Sequence, residues 1–324
     1  MPAILLPDVF TTQLVYQLTL LVLTALVLLT LASQFGKHLY FELTTHFRLQ
    51  YILGALLCTI VLTAFQSWKF VPIAIFCAAL NLVYVVPYYR DYRAKAQPAK
   101  TQPKQSLRLL QANVLKVNKN YNAVLEVVHK TKADVVVLQE FTHDWNTQTK
   151  SLEQEYPYFV SESRPSGSGM AVFSRYPFEE TRTLILDEST HVAILARVSF
   201  NGNPISVLAL HPTTPITALK FKNRNRQFRE AAALMKDISG TKLIIGDLNI
   251  TMWSPYFVDL ISSSSLRDAR LGFGLRTSWP NPLPSFLRLP IDHCLVGNDV
   301  QVDNIQTGES IGSDHRPLII DLSL

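Results

Sequence analysis

The first ninety residues contain three long apolar stretches, and nothing else in the chain limits its fold as strongly. Leu14 to Ala32 carries no charge, Leu49 to Phe65 carries none, and Phe70 to Tyr89 is broken only by Asn81 and two prolines. At 1.5 Å of rise per residue, roughly 17–20 residues cover the hydrocarbon core of a bilayer. The stretches therefore predict three transmembrane helices at about 14–34, 49–66 and 70–89, the second at the short end of that range. Three such runs in ninety residues argue against buried helices of a soluble domain. The first run also lacks the basic n-region and small-residue cleavage site of a signal peptide. Tyr16, Tyr51, Trp68, Tyr84, Tyr88 and Tyr89 near the ends of the runs fit an interfacial aromatic belt. Asn81 reads as a helix–helix hydrogen-bond donor.

Charge is distributed as unevenly as hydropathy. Up to Arg108 there are nine Lys and Arg against three acids; from Leu109 onward there are 21 bases and 22 acids. The net +5 thus belongs to the N-terminal third. With three spans, only Lys69 flanks the helices on one side. The other side receives Lys37, Arg48, Arg90, Arg93, Lys95, Lys100, Lys104 and Arg108. This positive-inside bias predicts an external N-terminus and a cytoplasmic C-terminal domain, with the external face as the alternative. Pro, Lys and Gln crowd residues 95–106, so 91–106 reads as a basic, solvated linker able to lie against anionic headgroups. Cys58, Cys77 and Cys294 form no disulfide framework or CxxC pair and read as small buried hydrophobes.

Residues 107–324 alternate between strand and helix patterns. Leu107 to Asn113 reads as a strand, Tyr121 to Lys130 as an amphipathic helix, and Asp134 to Glu140 as a buried strand. Gly169 to Arg175 is another strand. Val192 to Phe200 and Ile205 to His211 form a hairpin around Asn201-Gly202-Asn203. A basic helix at about 218–238 leads into Lys242-Leu-Ile-Ile-Gly-Asp-Leu-Asn249, in which Gly246 breaks a short apolar run. Ile291 to Val296 and Leu318 to Leu322 complete the set. The mixture predicts a two-layered β core flanked by helices.

Polar residues fall at the ends of the apolar runs: Asn113, Glu140, His211, Asp247, Asn249, Asp292 and the pair Asp314-His315. Along an extended backbone Asp247 and Asn249 share a face. Any one of these residues has a plain explanation as a turn or helix cap, or as a histidine satisfied by nearby backbone. Converging on one rim, they would make a hydrolytic site.

Gln111-Ala-Asn113, Leu138-Gln-Glu140, Gly169 through Pro177, Gly246-Asp-Leu-Asn249, Ile291-Asp292 and Gly312-Ser-Asp-His315 resemble, in order and spacing, the motifs of the endonuclease/exonuclease/phosphatase superfamily. The resemblance covers about 107–324, and the whole layout is similar to bacterial membrane-anchored members. It implies an α/β fold, a four-layer deoxyribonuclease I-like sandwich preceded by three transmembrane helices, carrying a metal-dependent phosphoric-ester hydrolase. Glu140, Asp314 and, less directly, Asn113 would hold the metal, since a hard divalent cation prefers oxygen ligands. Asp247 would orient and deprotonate water. His315, fixed by Asp292, would face the phosphate, with His211 and Asn249 donating to its non-bridging oxygens. Some nucleases of the family carry an acid two residues past the first Asn, where this chain has Leu115. One Mg²⁺ or Mn²⁺ is therefore expected.

Arg175, Arg226 and Trp279 are candidate substrate contacts. Arg175 has a structural alternative, pairing with a carboxylate, and the basic helix residues have one as a solvated face. Trp279 and Phe286 lie in a Pro-rich loop suited to the apolar part of a lipid. The expected enzyme hydrolyses a lipid-linked or small phosphoester at the bacterial inner membrane, with membrane lipid as partner and no protein partner. A membrane-tethered nuclease shares the site, but the near-neutral domain lacks the basic footprint of a polyanion binder. A non-catalytic scaffold would retain costly buried carboxylates for no purpose.

Overall fold

A computed structural model of the chain describes residues 9–90, 105–187 and 190–324. The predicted linker at 91–106 therefore lies outside them, apart from Gln105 and Ser106. The chain divides into two compact units between Pro87 and Tyr88.

The first unit is helical: α1 (Val9–Ala32), α2 (Leu39–Thr45), α3 (Arg48–Ala64) and α4 (Val71–Val85). Three plain spans are not what forms. Among the described residues two helices, Thr11–Phe35 and Val71–Tyr88, are long and apolar enough to cross a membrane. The expected second span corresponds to α3, which has 17 residues and meets α2 at a bend of 66°. It counts as a third crossing only if that bent pair is one broken span. Polar residues at the bend explain the break, since Glu42 and Arg48 are both buried there. Arg48 Nη1 donates to Asn81 Oδ1 at 3.0 Å, and Asn81 Nδ2 donates to Thr30 Oγ1 at 2.9 Å. Asn81 thus ties α1, α3 and α4 together with bonds that have no competitor in an apolar medium.

The described residues of the second unit form two six-stranded sheets. Its strands are β1 (Ser106–Asn113), β2 (Val135–Gln139), β3 (Tyr158–Glu162), β4 (Met170–Ser174), β5 (Phe178–Ile185), β6 (Val192–Phe200), β7 (Asn203–Ala209), β8 (Thr241–Asp247), β9 (Arg267–Asp268), β10 (Asp292–Val296), β11 (Gln301–Thr307) and β12 (Leu318–Ser323). One sheet has the order β11-β12-β1-β2-β4-β3 and the other β5-β6-β7-β8-β10-β9. Each is mixed, with one parallel pair at its centre, β1 with β2 and β7 with β8.

Their inner faces meet in a single core that includes Leu107, Leu109, Val135, Val137, Val207, Ala209, Leu243, Ile245, Cys294 and Ile320. Outside the first sheet, α5 (Tyr121–Thr131) and α6 (His143–Gln148) supply Val124, Val128 and Trp145 to a second cluster with Leu110, Val136 and Leu138. The outer face of the second sheet takes α7 (Ala218–Asp237) and α8 (Pro255–Ser264), with the Phe257 ring of α8 tilted by 41° at 4.6 Å from that of His293 on β10. These are the four layers of an α/β/β/α sandwich.

Period-two alternation fixes where chemistry can sit. The inward row of β1 runs Leu107, Leu109, Gln111, Asn113, and that of β2 runs Val135, Val137, Gln139. The rows of β7, β8 and β10 end in the same way, at His211, Asp247 and Asp292. At one end of the sandwich, both inner faces change from apolar to polar together. Gly246 does not break β8; it pairs with His293 inside the ladder. A Cβ there would fall 1.9 Å from Leu210 O and 2.2 Å from Gln139 Nε2. Only a residue without a side chain lets the two sheets approach so closely.

Candidate active site

Two buried glutamines close the core beneath the site. Gln111 Nε2 donates to Gln139 Oε1 at 2.6 Å and to Asp292 Oδ1 at 2.7 Å. Gln139 Nε2 donates to Leu210 O at 2.9 Å, and Gln139 Oε1 accepts from Asp247 N at 3.1 Å. These bonds set the separation of the two sheets at the point where Asp247 and Asp292, register partners on β8 and β10, face inward.

His315 lies between those two carboxylates. Its Nδ1 is 2.8 Å from Asp292 Oδ2 and its Nε2 is 3.5 Å from Asp247 Oδ2. All three residues are buried. Burial opposes charge on His315, but Asp292 and then Asp247 outweigh it and hold the imidazole pKa up at about 10. Burial also pushes Asp292 upward, yet the His315 charge and hydrogen bond prevail and leave it at about 2. Asp247 has no comparable partner, so burial raises it to about 7, with Asp292 adding to the rise and His315 opposing it. The site thus contains an imidazolium–carboxylate pair beside a carboxylate poised to exchange a proton near neutral pH.

A second group of oxygens adjoins the first. Asn113 Nδ2 donates to Glu140 Oε1 and to Asp247 Oδ2, both at 3.1 Å. Asn113 therefore turns its amide hydrogens, not its carbonyl, toward the carboxylates, while its Oδ1 accepts from Leu115 N at 3.0 Å. Glu140 follows β2 with a φ of +57°, and its Oε2 accepts from Lys116 N at 2.9 Å. Ser313 Oγ donates to Asn113 O at 2.7 Å, bringing the Gly312–His315 turn against β1. Asp314 Oδ2 in that turn accepts from Trp279 Nε1 at 3.0 Å.

Glu140, Asp247, Asp292 and Asp314 place four carboxyl groups here against His315 and the exposed Lys116. An excess of oxygen anions fits a bound divalent cation. Ligand atoms of Asp247, Asp292 and His315 also lie within 4.8 Å of one another, a spacing a metal could use. The proton on His315 and its bond to Asp292 occupy that set, however. Glu140 and Asp314, neither of them hydrogen-bonded to the His315 ring, offer oxygens better suited to a hard ion.

Other sequence-picked residues fall as follows. His211 Nε2 faces Asp247 Oδ2 at 3.5 Å, and burial lowers its pKa, keeping the ring neutral. Its Nδ1 is buried without a protein partner. Asn249 is not extended: its φ is +51°, so it leaves the face shared with Asp247, and its Nδ2 donates to Pro212 O at 3.0 Å. One of its two amide hydrogens is thereby committed. The Trp279 ring stands 6.4 Å from that of His315. Arg226 is half-buried on α7.

Arg175 is not brought to the site. β4 runs antiparallel to β2, so Met170 pairs with Gln139 at the site end and Ser174 with Val135 at the other. Arg175 follows Ser174 and pairs with Glu155 there, over the ring of Tyr156 at 5.3 Å. This is the pairing with a carboxylate expected as its structural alternative. Three further residues lie here: the sequence assigned no role to His191 or Gln227, and counted Arg224 only among the charges of the basic helix. His191 stands 5.8 Å from His211, edge to face. Arg224 is fully buried on α7, 3.5 Å from Asn249 O. Gln227 Oε1 accepts from Thr213 N at 2.8 Å. The polar positions on α7 that face inward, at spacings of three and four, are the signal that could have found the last two.

A two-sheet α/β sandwich whose inner faces end in carboxylates, amides and a charged histidine defines a hydrolase-type phosphoester fold. Residues 110–315 match the Endonuclease/Exonuclease/phosphatase family, and the chain belongs to that family. Its members are hydrolases acting on phosphoesters, and they generally use divalent metals. Solved structures share the fold. TDP2 of D. rerio, complexed with single strand DNA product, is 17% identical with a TM-score of 0.58, covering 67% of this chain and 99% of its own. Sphingomyelinase C from Streptomyces griseocarneus is 20% identical with a TM-score of 0.51, over 67% and 99%. An endonuclease/exonuclease/phosphatase from Beutenbergia cavernae is 18% identical with a TM-score of 0.54, over 68% and 72%. No match was found among curated proteins.

Proposed function

We propose that this chain is a membrane-anchored, divalent-metal-dependent phosphoesterase that hydrolyses a lipid-linked or small-molecule phosphoester. The observation that carries the reading is the convergence of Glu140, Asp247, Asp292 and His315 at one end of the core, joined through Asn113 and Gln111. Burying Asp247 and Asp292 in an apolar core costs several kcal/mol each before pairing repays it, a cost that substrate chemistry explains and a scaffold role does not.

In this mechanism Asp247, ionised near neutral pH, takes a proton from the attacking water through Oδ2. His315, held protonated by Asp292, donates to a phosphoryl oxygen as its charge grows. His211 and the remaining amide hydrogen of Asn249 donate to the other non-bridging oxygens. Glu140 and Asp314, with Asn113 steadying Glu140, would hold one Mg²⁺ or Mn²⁺, which when bound neutralises phosphoryl charge and orients the ester. Arg226 is a candidate contact for substrate phosphate from α7.

Two features support a lipid over a nucleic acid. The two apolar helices, and the bent pair beside them, would hold the domain at a bilayer, on the cytoplasmic side by the positive-inside bias. Loops leaving the site end of the strands also expose Val117, Ile216, Leu283 and Phe286, and the first turn of α7 exposes Leu219. Such an apolar rim suits acyl or isoprenoid chains better than a phosphate backbone. TDP2 was crystallised with single-strand DNA product and another fold neighbour is a sphingomyelinase, so both substrate classes belong in the test. Full-length protein in detergent is assayed with Mg²⁺, with and without chelator, against nucleic acid, isoprenoid phosphate, phospholipid and inositol phosphate. Chelator-sensitive hydrolysis of a lipid ester is expected. Preference for nucleic acid would move the assignment to a tethered nuclease, and inertness to all four would sink it.

A further inference from the structure

Beside the metal-side carboxylate runs a continuous strip of hydroxyl and imidazole groups that the chemistry above does not use. It starts at Lys116, whose backbone amide binds Glu140 and whose Nζ donates to Ser166 O at 3.3 Å. Gly167 brings this loop close: a Cβ there would lie 2.8 Å from Lys116 Cδ and 3.4 Å from Glu140 Oε2. Ser166 Oγ and Ser168 Oγ are 2.8 Å apart, and Ser168 Oγ is 3.4 Å from Thr190 Oγ1. His191 follows in the chain, with its Nδ1 3.5 Å from Thr213 Oγ1. Thr213 is two residues from His211, so the strip joins Glu140 to His211 along one side of the site. Ser168 and Thr213 are buried, while Lys116, Ser166 and Thr190 are exposed.

We propose that this strip is a subsite for a hydroxylated, uncharged group on the substrate, a polyol or sugar attached through the phosphoester. The inference rests on the phosphoesterase reading and sharpens it. Serine and threonine hydroxyls each donate and accept, and so does a neutral imidazole. Burial, reinforced by His211, lowers the His191 pKa to about 4, so the ring is uncharged at neutral pH. Groups that both donate and accept match hydroxyls. A quaternary ammonium would call for an aromatic cage or carboxylates, and a second phosphate for a cluster of cations. Trp279 and the exposed Phe286 loop adjoin Asp314 and His315 instead, so apolar and hydroxylated parts of one substrate would be held by different loops.

The test compares full-length protein in detergent on phosphatidylinositol and phosphatidylcholine micelles, with bis(p-nitrophenyl) phosphate as a reference ester lacking hydroxyls. Wild type should prefer phosphatidylinositol. Thr190→Val, exposed and isosteric, and Ser168→Ala should each lower the ratio of kcat/KM for phosphatidylinositol over the reference ester by about 2–10-fold, as one hydrogen bond is lost. His191→Phe should lower it further, and His191→Gln should restore part of the loss. No headgroup preference in wild type, or equal losses on both esters, would mean that the strip only ties loops together. If no ester is hydrolysed, the phosphoesterase reading fails separately. Calorimetric binding of inositol 1-phosphate against inorganic phosphate then decides the subsite, which stands if the inositol ester binds more tightly and this advantage falls in Thr190→Val. Equal affinity would overturn it.

Discussion

The Nδ1 atom of His315 lies 2.8 Å from Oδ2 of Asp292, and this buried ion pair sets the charge state of the whole site. Replacing Asp292 with Asn keeps the shape and removes the charge. Loss of the partner that orients and stabilises the imidazolium should lower kcat by about 10³–10⁴-fold, by analogy with the carboxylate of a serine-hydrolase triad. The His315 pKa should fall from about 10 toward its ordinary value of 6.5, followed by NMR of labelled histidine. An Asp292→Asn protein with full activity would remove the pair from the mechanism.

Activity should follow a bell in pH. Asp247 must be ionised to accept a proton, so activity rises as pH climbs through about 7. His315 must be protonated to donate, so activity falls as pH passes about 10. Stability has its own signs. The raised His315 contributes fully below 6.5, and that contribution is lost as pH rises through about 10. The depressed Asp292 contributes above 3.8, and its share is lost as pH falls through about 2. A rate that is flat between pH 5 and 8 would exclude Asp247 as the base.

Glu140→Gln should weaken Mg²⁺ binding by roughly 10–100-fold, measured by calorimetry on the full chain, because a neutral amide replaces the central anionic ligand. Activity should fall in parallel and recover in part at high Mg²⁺. Unchanged affinity would shift the metal toward Asp247 and Asp292.

Gly246→Ala should destabilise the catalytic unit by about 2–4 kcal/mol, since its Cβ would strike the Leu210 carbonyl and the Gln139 amide that separate the sheets. Urea unfolding checks this. A loss under 1 kcal/mol would show that the sheets can part there at little cost.

Arg175→Ala should leave KM for any substrate unchanged. Its partner Glu155 and the Tyr156 ring lie at the opposite end of β4 from Glu140, on the order of 20 Å away at about 3.3 Å per residue. Only a modest loss in thermal stability is expected, as the pair is part-exposed. A raised KM would restore Arg175 to the substrate.

Much of the site was legible because strands alternate. An apolar run that ends in Asp, Asn or His marks where an inward row leaves the core, and Asn113, Asp247 and Asp292 were found in this way. Less was legible where burial is partial. β5 is exposed along most of its length and β3 is half-exposed, so neither shows an apolar run against which polar residues could stand out. Gly246 looked like a break because a glycine in a strand usually weakens it. Its reason lies on the facing sheet, in Gln139, and past the end of neighbouring β7, in Leu210, both more than thirty residues earlier in the chain.

Taken alone, the sequence determined the apolar N-terminal third, eight of the twelve strands and two of the four α-helices described in residues 107–324, and the identity of the polar strand ends. These are local matters, set by hydropathy and by repeats of two and 3.6 residues. Only the tertiary structure decided that α2 and α3 meet at a bend, that Arg175 lies at the far end, and that His191 and Thr213 adjoin His211. It also decided that Asp247 and Asp292 share His315. Such relations depend on which strands pair and how closely two sheets pack, distances between residues up to two hundred positions apart that no local pattern encodes.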